Sequence, residues 1–284
     1  GQFGDLDLGL MNWDRLQNKK IRNFNLIEDR EFGFSIDFNL DNNEISLSKN
    51  WSKWPDPFLE CGGNSECLEK KELHLEDIPA EEELVDITEE FLRDFGVNTS
   101  YYGRGRIQDF WRKNLELSQD PDNFRVPDSI SVVYPLKINN KLVYGRGGDP
   151  DGLRVNVDIR HQRVSGLNHL YLPRFQSSSY PAVSGSETIV SRAEKGGLDR
   201  PYKHSEPTKT VKIKLGTPSL DLVRIFNRKK DNREVEELYV PAYIFPITEV
   251  SEKTHFLKER VVVPAVRGLW QEPPRPDIGI PESR

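Results

Sequence analysis

The sequence predicts a strand-rich α+β fold of two tandem modules, each a helix packed on a small antiparallel sheet. Apolar and polar residues alternate along 32–40, 130–138 and 153–159, the two-residue period of half-buried strands. Over 79–96 apolar residues recur at threes and fours instead, the helical period. The order helix, strand, strand, strand then occurs twice, with helix stops at Gly96 and Gly197. A length of 284 residues suits about two domains.

Residues 1–30 read as an irregular segment with Trp13 and Ile21 as anchors. The first module spans 31–172. Phe32, Phe34, Ile36, Phe38 and Leu40 make one strand, Asp41-Asn42-Asn43 a turn, and Ile45, Leu47 and Trp51 the return. A loop bounded by Cys61 and Cys67 follows. The long helix starts with Asp77 as N-cap and Pro79 in its first turn, and Ala80, Leu84, Ile87, Phe91 and Phe95 form its inward stripe. Ile107 to Lys113 reads as a short aromatic strand. Strands at 130–138 and 142–144 join at Asn139-Asn140, and Leu153, Val155, Val157 and Ile159 make the next. Residues 172–183 are a crossing segment.

The second module spans 184–271. Ser186 caps a shorter helix that ends before Gly196-Gly197, and strands are expected at 210–215, 219–226, 238–247 and 260–269. Pro241 and Pro246 lack the N–H that a ladder needs, so 238–247 is expected at an edge or with a bulge. Residues 272–284 form a Pro-rich tail.

Charge narrows the function classes. The net charge of −6 and pI of about 5.6 argue against a nucleic-acid binder, which needs a basic surface. Between Glu81 and Asp94 seven acids face Arg93 alone, which reads as the solvated side of the helix. No apolar run reaches the ~18 residues of a membrane span. The spacing Cys61-Gly-Gly-Asn-Ser-Glu-Cys67 fits no common zinc or redox pattern and favours a disulfide over two unrelated thiols. A disulfide implies an extracytoplasmic location, at the cell surface or in the periplasm. The opening at Gly1 suits a removed N-terminal segment, which leaves a membrane tether as an expectation.

The pattern of one helix per antiparallel sheet, in tandem, resembles PepSY-type domains of exported bacterial proteins. Ser46-Leu47-Ser48-Lys49-Asn50-Trp51, Trp54-Pro55, Ser178-Ser179-Tyr180 and Tyr239-Val240-Pro241-Ala242-Tyr243 with Phe245-Pro246 resemble segments of uncharacterised envelope lipoproteins. The resemblance covers roughly 30–270 and shows no lipobox cysteine. It implies binding or regulation rather than catalysis.

The residues themselves carry no recognisable catalytic set. G-x-S-x-G, H-E-x-x-H, P-loop and G-x-G-x-x-G patterns are absent. Among His74, His161, His169, His204 and His255, only His161 and His169 are placed to meet, a poor zinc set. Asp149-Pro150-Asp151-Gly152 lacks the spaced ligands of a calcium loop and reads as a turn. Arg228-Lys229-Lys230 and Arg233 read as a solvated hairpin tip. No cofactor is expected.

The expected function is therefore a non-catalytic, extracytoplasmic binding or regulatory role at a bacterial envelope, through an unknown protein or peptide partner. Tyr239, Pro241, Tyr243, Phe245 and Pro246 form the candidate contact strand. One alternative is a carbohydrate or cell-wall binding module using Trp51, Trp54 and Trp111. Another is a hydrolase with an unrecognised carboxylate pair.

Overall fold

A computed structural model of the chain describes residues 20–41, 43–118, 120, 124–171, 175–198, 211–228, 235–251 and 258–270. Its strands are β1 (Asn23–Ile27), β2 (Phe34–Asn39), β3 (Glu44–Lys49), β4 (Arg106–Ile107), β5 (Ser129–Pro135), β6 (Lys137–Ile138) and β7 (Lys141–Tyr144). They continue with β8 (Gly152–Asp158), β9 (Arg163–Tyr171), β10 (Ile213–Leu215), β11 (Ser219–Arg228), β12 (Val235–Val250) and β13 (Arg260–Pro264). The helices are α1 (Pro57–Glu60), α2 (Ser65–Glu69), α3 (Glu81–Asp94), α4 (Phe110–Leu117) and α5 (Ser186–Glu194). The fold is α+β and strand-rich, with antiparallel sheets and few helices. No described helix is long and apolar enough to cross a membrane.

The first sheet runs β1-β2-β3-β9-β8-β5-β4. Alternation works as expected on its inner face: Ile130, Val132, Leu153, Val155 and Val157 are buried together with Leu84 and Leu92 of α3. The outward side is polar, and Ser131 donates to Asn156 at 2.7 Å. The seven acids of α3 face solvent, as the charge pattern predicts. The buried stripe of α3 is rotated from the expected one. Leu84, Thr88 and Leu92 are buried, Ile87 and Phe91 half-buried, and Phe95 exposed.

Several boundaries move for identifiable reasons. Pro79 keeps Ile78 extended, so α3 begins after Ala80, and Asp77 instead caps the preceding turn through His74 N–H at 2.7 Å. Gly185 rather than Ser186 is the N-cap of α5. Both glycine stops hold, with φ of 64° at Gly96 and 67° at Gly197. Residues 110–117 are helical, and Trp111 of that helix packs on the first core, so the expected strand at 107–113 shrinks to β4. Asn23–Ile27 forms a strand within the segment read as irregular, and Ile21 is exposed rather than an anchor. Trp13 and the tail 272–284 lie outside the described residues.

The second sheet is built around β12. It pairs with β11 over 235–244 and with β13 over 242–246 on the opposite side, while β10 continues the β11 side beyond. Val240, Ala242 and Ile244 face one core, with Val223, Ile225 and Val262. Phe245 faces the other, with Ile189 and Ala193 of α5.

Strand order differs between the two sheets, so the repeat of pattern does not extend to topology. The chain also joins them. After Pro135 it leaves the first sheet and forms β6 and β7, and β7 pairs in parallel with β11. It then returns as β8. The Asp149-Pro150-Asp151-Gly152 turn closes this excursion, and Asp151 pairs with Arg224 of β11 at 3.3 Å.

Candidate functional site

The strand nominated from its prolines is an edge over only part of its length: across 235–241 β11 is the one described strand paired with it. Over 242–244 β12 is paired on both sides, and at 245–246 it is paired with β13. A residue's N and C=O face the same side of a strand. Pro241 O accepts from Ala265 N–H at 2.7 Å, so its ring nitrogen faces the point just past the end of β13. Pro246 O accepts from Gly216 N–H at 2.8 Å, so its nitrogen faces the Gly216-Thr217-Pro218 break between β10 and β11. Each proline thus sits where a ladder is already interrupted. The bulge half of the expectation has a counterpart, because the register against β10 slips at Thr248. Phe245 is buried, Tyr239, Tyr243 and Pro246 are half-buried, and Pro241 is exposed. Main-chain addition of a peptide at 242–244 has no vacant ladder.

The tryptophans do not form a platform either. Trp54 is 4% exposed, and its indole N–H donates to Gly33 O at 2.8 Å. Trp111 is half-buried against the first core. Among the described tryptophans Trp51 alone stands out, 67% exposed, with the Lys49 ammonium 4.2 Å from its ring centre. His161 and His169 have separate carboxylate partners, Asp158 at 2.9 Å and Glu44 at 3.1 Å. His204 and His255 lie outside the described residues, as does the basic tip at 229–234. Among the described residues no group of three or more His, Cys, Asp or Glu is arranged to hold a metal ion.

What the structure assembles instead is a knuckle closed by Cys61 and Cys67, which are disulfide-bonded with Cα atoms 5.6 Å apart. Each of its two short helices is capped. Asp56 accepts from Phe58 N–H at 2.8 Å, and Asn64 accepts from Cys67 N–H at 3.0 Å. Neither helix buries a residue. On α1 this leaves Phe58 and Leu59 side by side at 61% and 71% exposure. Sequence reading passed over them. The available signal was an apolar pair confined between Pro57 and a cysteine, too short to bury itself.

Beside the knuckle lies a cleft of about 770 Å³, walled by the β8–β9 turn and the start of α3. Its lining carries both charges, with Lys70, Lys71 and Arg160 against Glu60, Glu72 and Glu83. The Arg160 guanidinium donates to Lys71 O at 2.6 Å, and Lys71 pairs with Glu60, which binds the knuckle to the sheet. At one end His161 edges the Phe32 and Trp54 rings. Its Asp158 partner is buried and also accepts from Lys49 at 3.2 Å. Both Asp158 oxygens are thereby engaged, and the cluster works as a clamp between β3 and the β8–β9 turn. The arrangement places an exposed apolar pair beside a cleft of mixed charge. No family model, curated protein or solved structure matches this chain.

Proposed function

We propose that the protein is a non-catalytic, extracytoplasmic binding or regulatory protein of a bacterial envelope that acts through protein contacts, and that the Cys61–Cys67 knuckle is the contact. One observation carries the reading: Phe58 and Leu59 are held out to solvent on a capped helix that leads directly into the disulfide-closed loop, beside a cleft of mixed charge. Exposed apolar pairs on a preorganised turn lose little conformational entropy on binding, so their burial converts efficiently into affinity. The bridge itself supports an oxidising compartment. In the same reading the two sheets are PepSY-like modules, supported by one helix on each, α3 on the first sheet and α5 on β13.

The test is site-directed photo-crosslinking from position 58 in envelope preparations, with Leu220 as an exposed control in β11. An adduct to one protein is expected, reproduced with that protein purified and lost in Phe58→Ser/Leu59→Ser. Glycan binding abolished by Trp51→Ala, with no protein adduct at 58, would instead establish the carbohydrate reading.

A further inference from the structure

We infer that two copies of this chain associate through β1, antiparallel about a two-fold axis at Asn25, joining their first sheets into one. β1 is the outer strand and pairs with β2. Leu40 N–H donates to Arg22 O, and Glu28 N–H to Phe34 O, both at 2.8 Å. Even-numbered residues therefore turn their main-chain groups toward β2. By alternation the N–H and C=O of Asn23, Asn25 and Ile27 point away from the sheet, where no described strand meets them.

An edge of this kind ordinarily carries a lysine, a proline or a bulge against unwanted pairing. Asn23–Ile27 carries none, and all five residues are exposed, Leu26 at 52% and Ile27 at 66%. The Asn25 amide bends inward, donating to Ser35 Oγ and Asp37 Oδ1 at 2.8 Å, and leaves the main chain clear.

The sequence of the edge selects its occupant. With Asn25 opposite its own copy, Asn23 meets Ile27 of the second copy, and every outward main-chain donor and acceptor of 23–27 finds a partner. On one face Phe24 lies opposite Leu26 of the second copy, and Leu26 opposite Phe24, extending the stack of Phe24 on Phe38, whose ring centres are 4.3 Å apart. At the rims Arg22 lies opposite Glu28 of the second copy, and Glu28 opposite Arg22, each while holding a partner in its own chain, Asp41 for Arg22 and Arg30 for Glu28. One step further out Lys20 would face Arg30, but each already holds an acid, Asp41 and Glu28 respectively. Sliding the register by two residues puts Arg22 against Leu26, or Phe24 against Glu28. Those registers are two-fold as well, about Phe24 or Leu26, but only the one centred on Asn25 matches apolar with apolar and opposite charges at once in an isologous contact.

A single strand pair is a small interface, so a weak, concentration-dependent dimer is expected. Sedimentation of the full chain up to about 1 mM should show one species giving way to two copies. Leu26→Lys places a charge against Phe24 of the second copy, and Asn25→Pro removes an outward N–H together with the Asn25 amide bonds to Ser35 and Asp37 of β2. Both variants should fold, by circular dichroism, and shift the dimer midpoint at least tenfold upward. Asn25→Cys should oxidise to a cross-linked dimer, while Leu220→Cys should not. A chain that stays monomeric throughout, or a dimer indifferent to both edge variants, overturns the inference. So does capture of an added Arg22–Glu28 peptide by a chain that never self-associates, which would make the edge a site for foreign peptides. None of these outcomes bears on the knuckle, which lies on a different segment.

Discussion

Lys113 of α4 meets the carboxylate of Glu259, 146 residues further along, and so ties a helix packed on the first core to the start of a strand in the second sheet. Arg260 flanks the same carboxylate at 2.9 Å, and Asp109 flanks the ammonium at 3.4 Å. Burial raises the Glu259 carboxyl, but the Lys113 hydrogen bond and the Lys113 and Arg260 charges outweigh it and leave it below its ordinary value. Burial likewise pulls the Lys113 ammonium down, and Glu259 and Asp109 reverse this to leave it raised.

The signs give a pH window. A lowered carboxyl stabilises the fold above its unfolded value of 4.5 and loses that contribution as pH falls through the folded one. A raised ammonium contributes below 10.5 and loses it as pH rises through its folded value. Urea midpoints measured across pH should therefore be steady between these limits and fall beyond each. Lys113→Met should flatten both limbs. An unchanged profile in that variant would show that the seam is held elsewhere, through Arg224 and Asp151.

Gly96 and Gly197 end their helices with nearly the same φ, yet their surroundings differ. A Cβ at Gly96 meets nothing within 4 Å, whereas one at Gly197 would lie 2.2 Å from Val262 O of β13. Gly96→Ala should cost about 1 kcal/mol, the left-handed backbone penalty alone. Gly197→Ala should cost a further ~1–3 kcal/mol, because α5 must shift off β13. Chemical denaturation of both variants checks it, and equal losses would contradict the close approach.

The strand alternation and both helix stops were legible because each reflects a local rule. The orientation of α3 was not. The stripe through Ile87, Phe91 and Phe95 has the right period, but the sheet turns the helix so that Thr88 lies inward and Phe95 outward. A polar residue fully buried by a tertiary partner leaves no periodic signal. Likewise Ile107–Lys113 is aromatic enough to suggest a strand, and only the docking of Trp111 on the core favours helix there. The prolines of β12 marked ladder interruptions correctly, yet which strands lay alongside was invisible. The Cys61–Cys67 knuckle was legible only through its cysteines.

Reduction tests how far that knuckle stands apart. Its loop is short, so the bridge contributes only about 2 kcal/mol through the unfolded chain. With no residue of α1 or α2 buried, reduction should leave near-ultraviolet dichroism and the main unfolding transition almost intact. Native protein should titrate no free thiol, and reduced protein two. The sensitive readout is limited proteolysis within 57–71, which should accelerate on reduction. Global unfolding on reduction would mean that the knuckle supports the core.

Thr88 and Tyr134 offer the sharpest test of the first core. Their hydroxyls are 2.6 Å apart between α3 and β5, and Thr88 Oγ1 also donates to Val85 O at 2.8 Å. Burial pushes the Tyr134 phenol up, against a smaller opposing pull from Thr88, so it stays neutral and able to share its proton. Thr88→Val keeps the shape but strands the phenol, at about 1–3 kcal/mol. Tyr134→Phe leaves Thr88 its bond to Val85 and should cost less, about 1 kcal/mol. With both changed, the helix–sheet contact is apolar on each side, and the double variant should be less destabilised than the sum of the two. Tyr134 also lines a cleft with Gly96, Tyr102 and Arg104. A loss below about 0.5 kcal/mol in Thr88→Val, within the ordinary range for surface changes, would show that water from this cleft replaces the threonine.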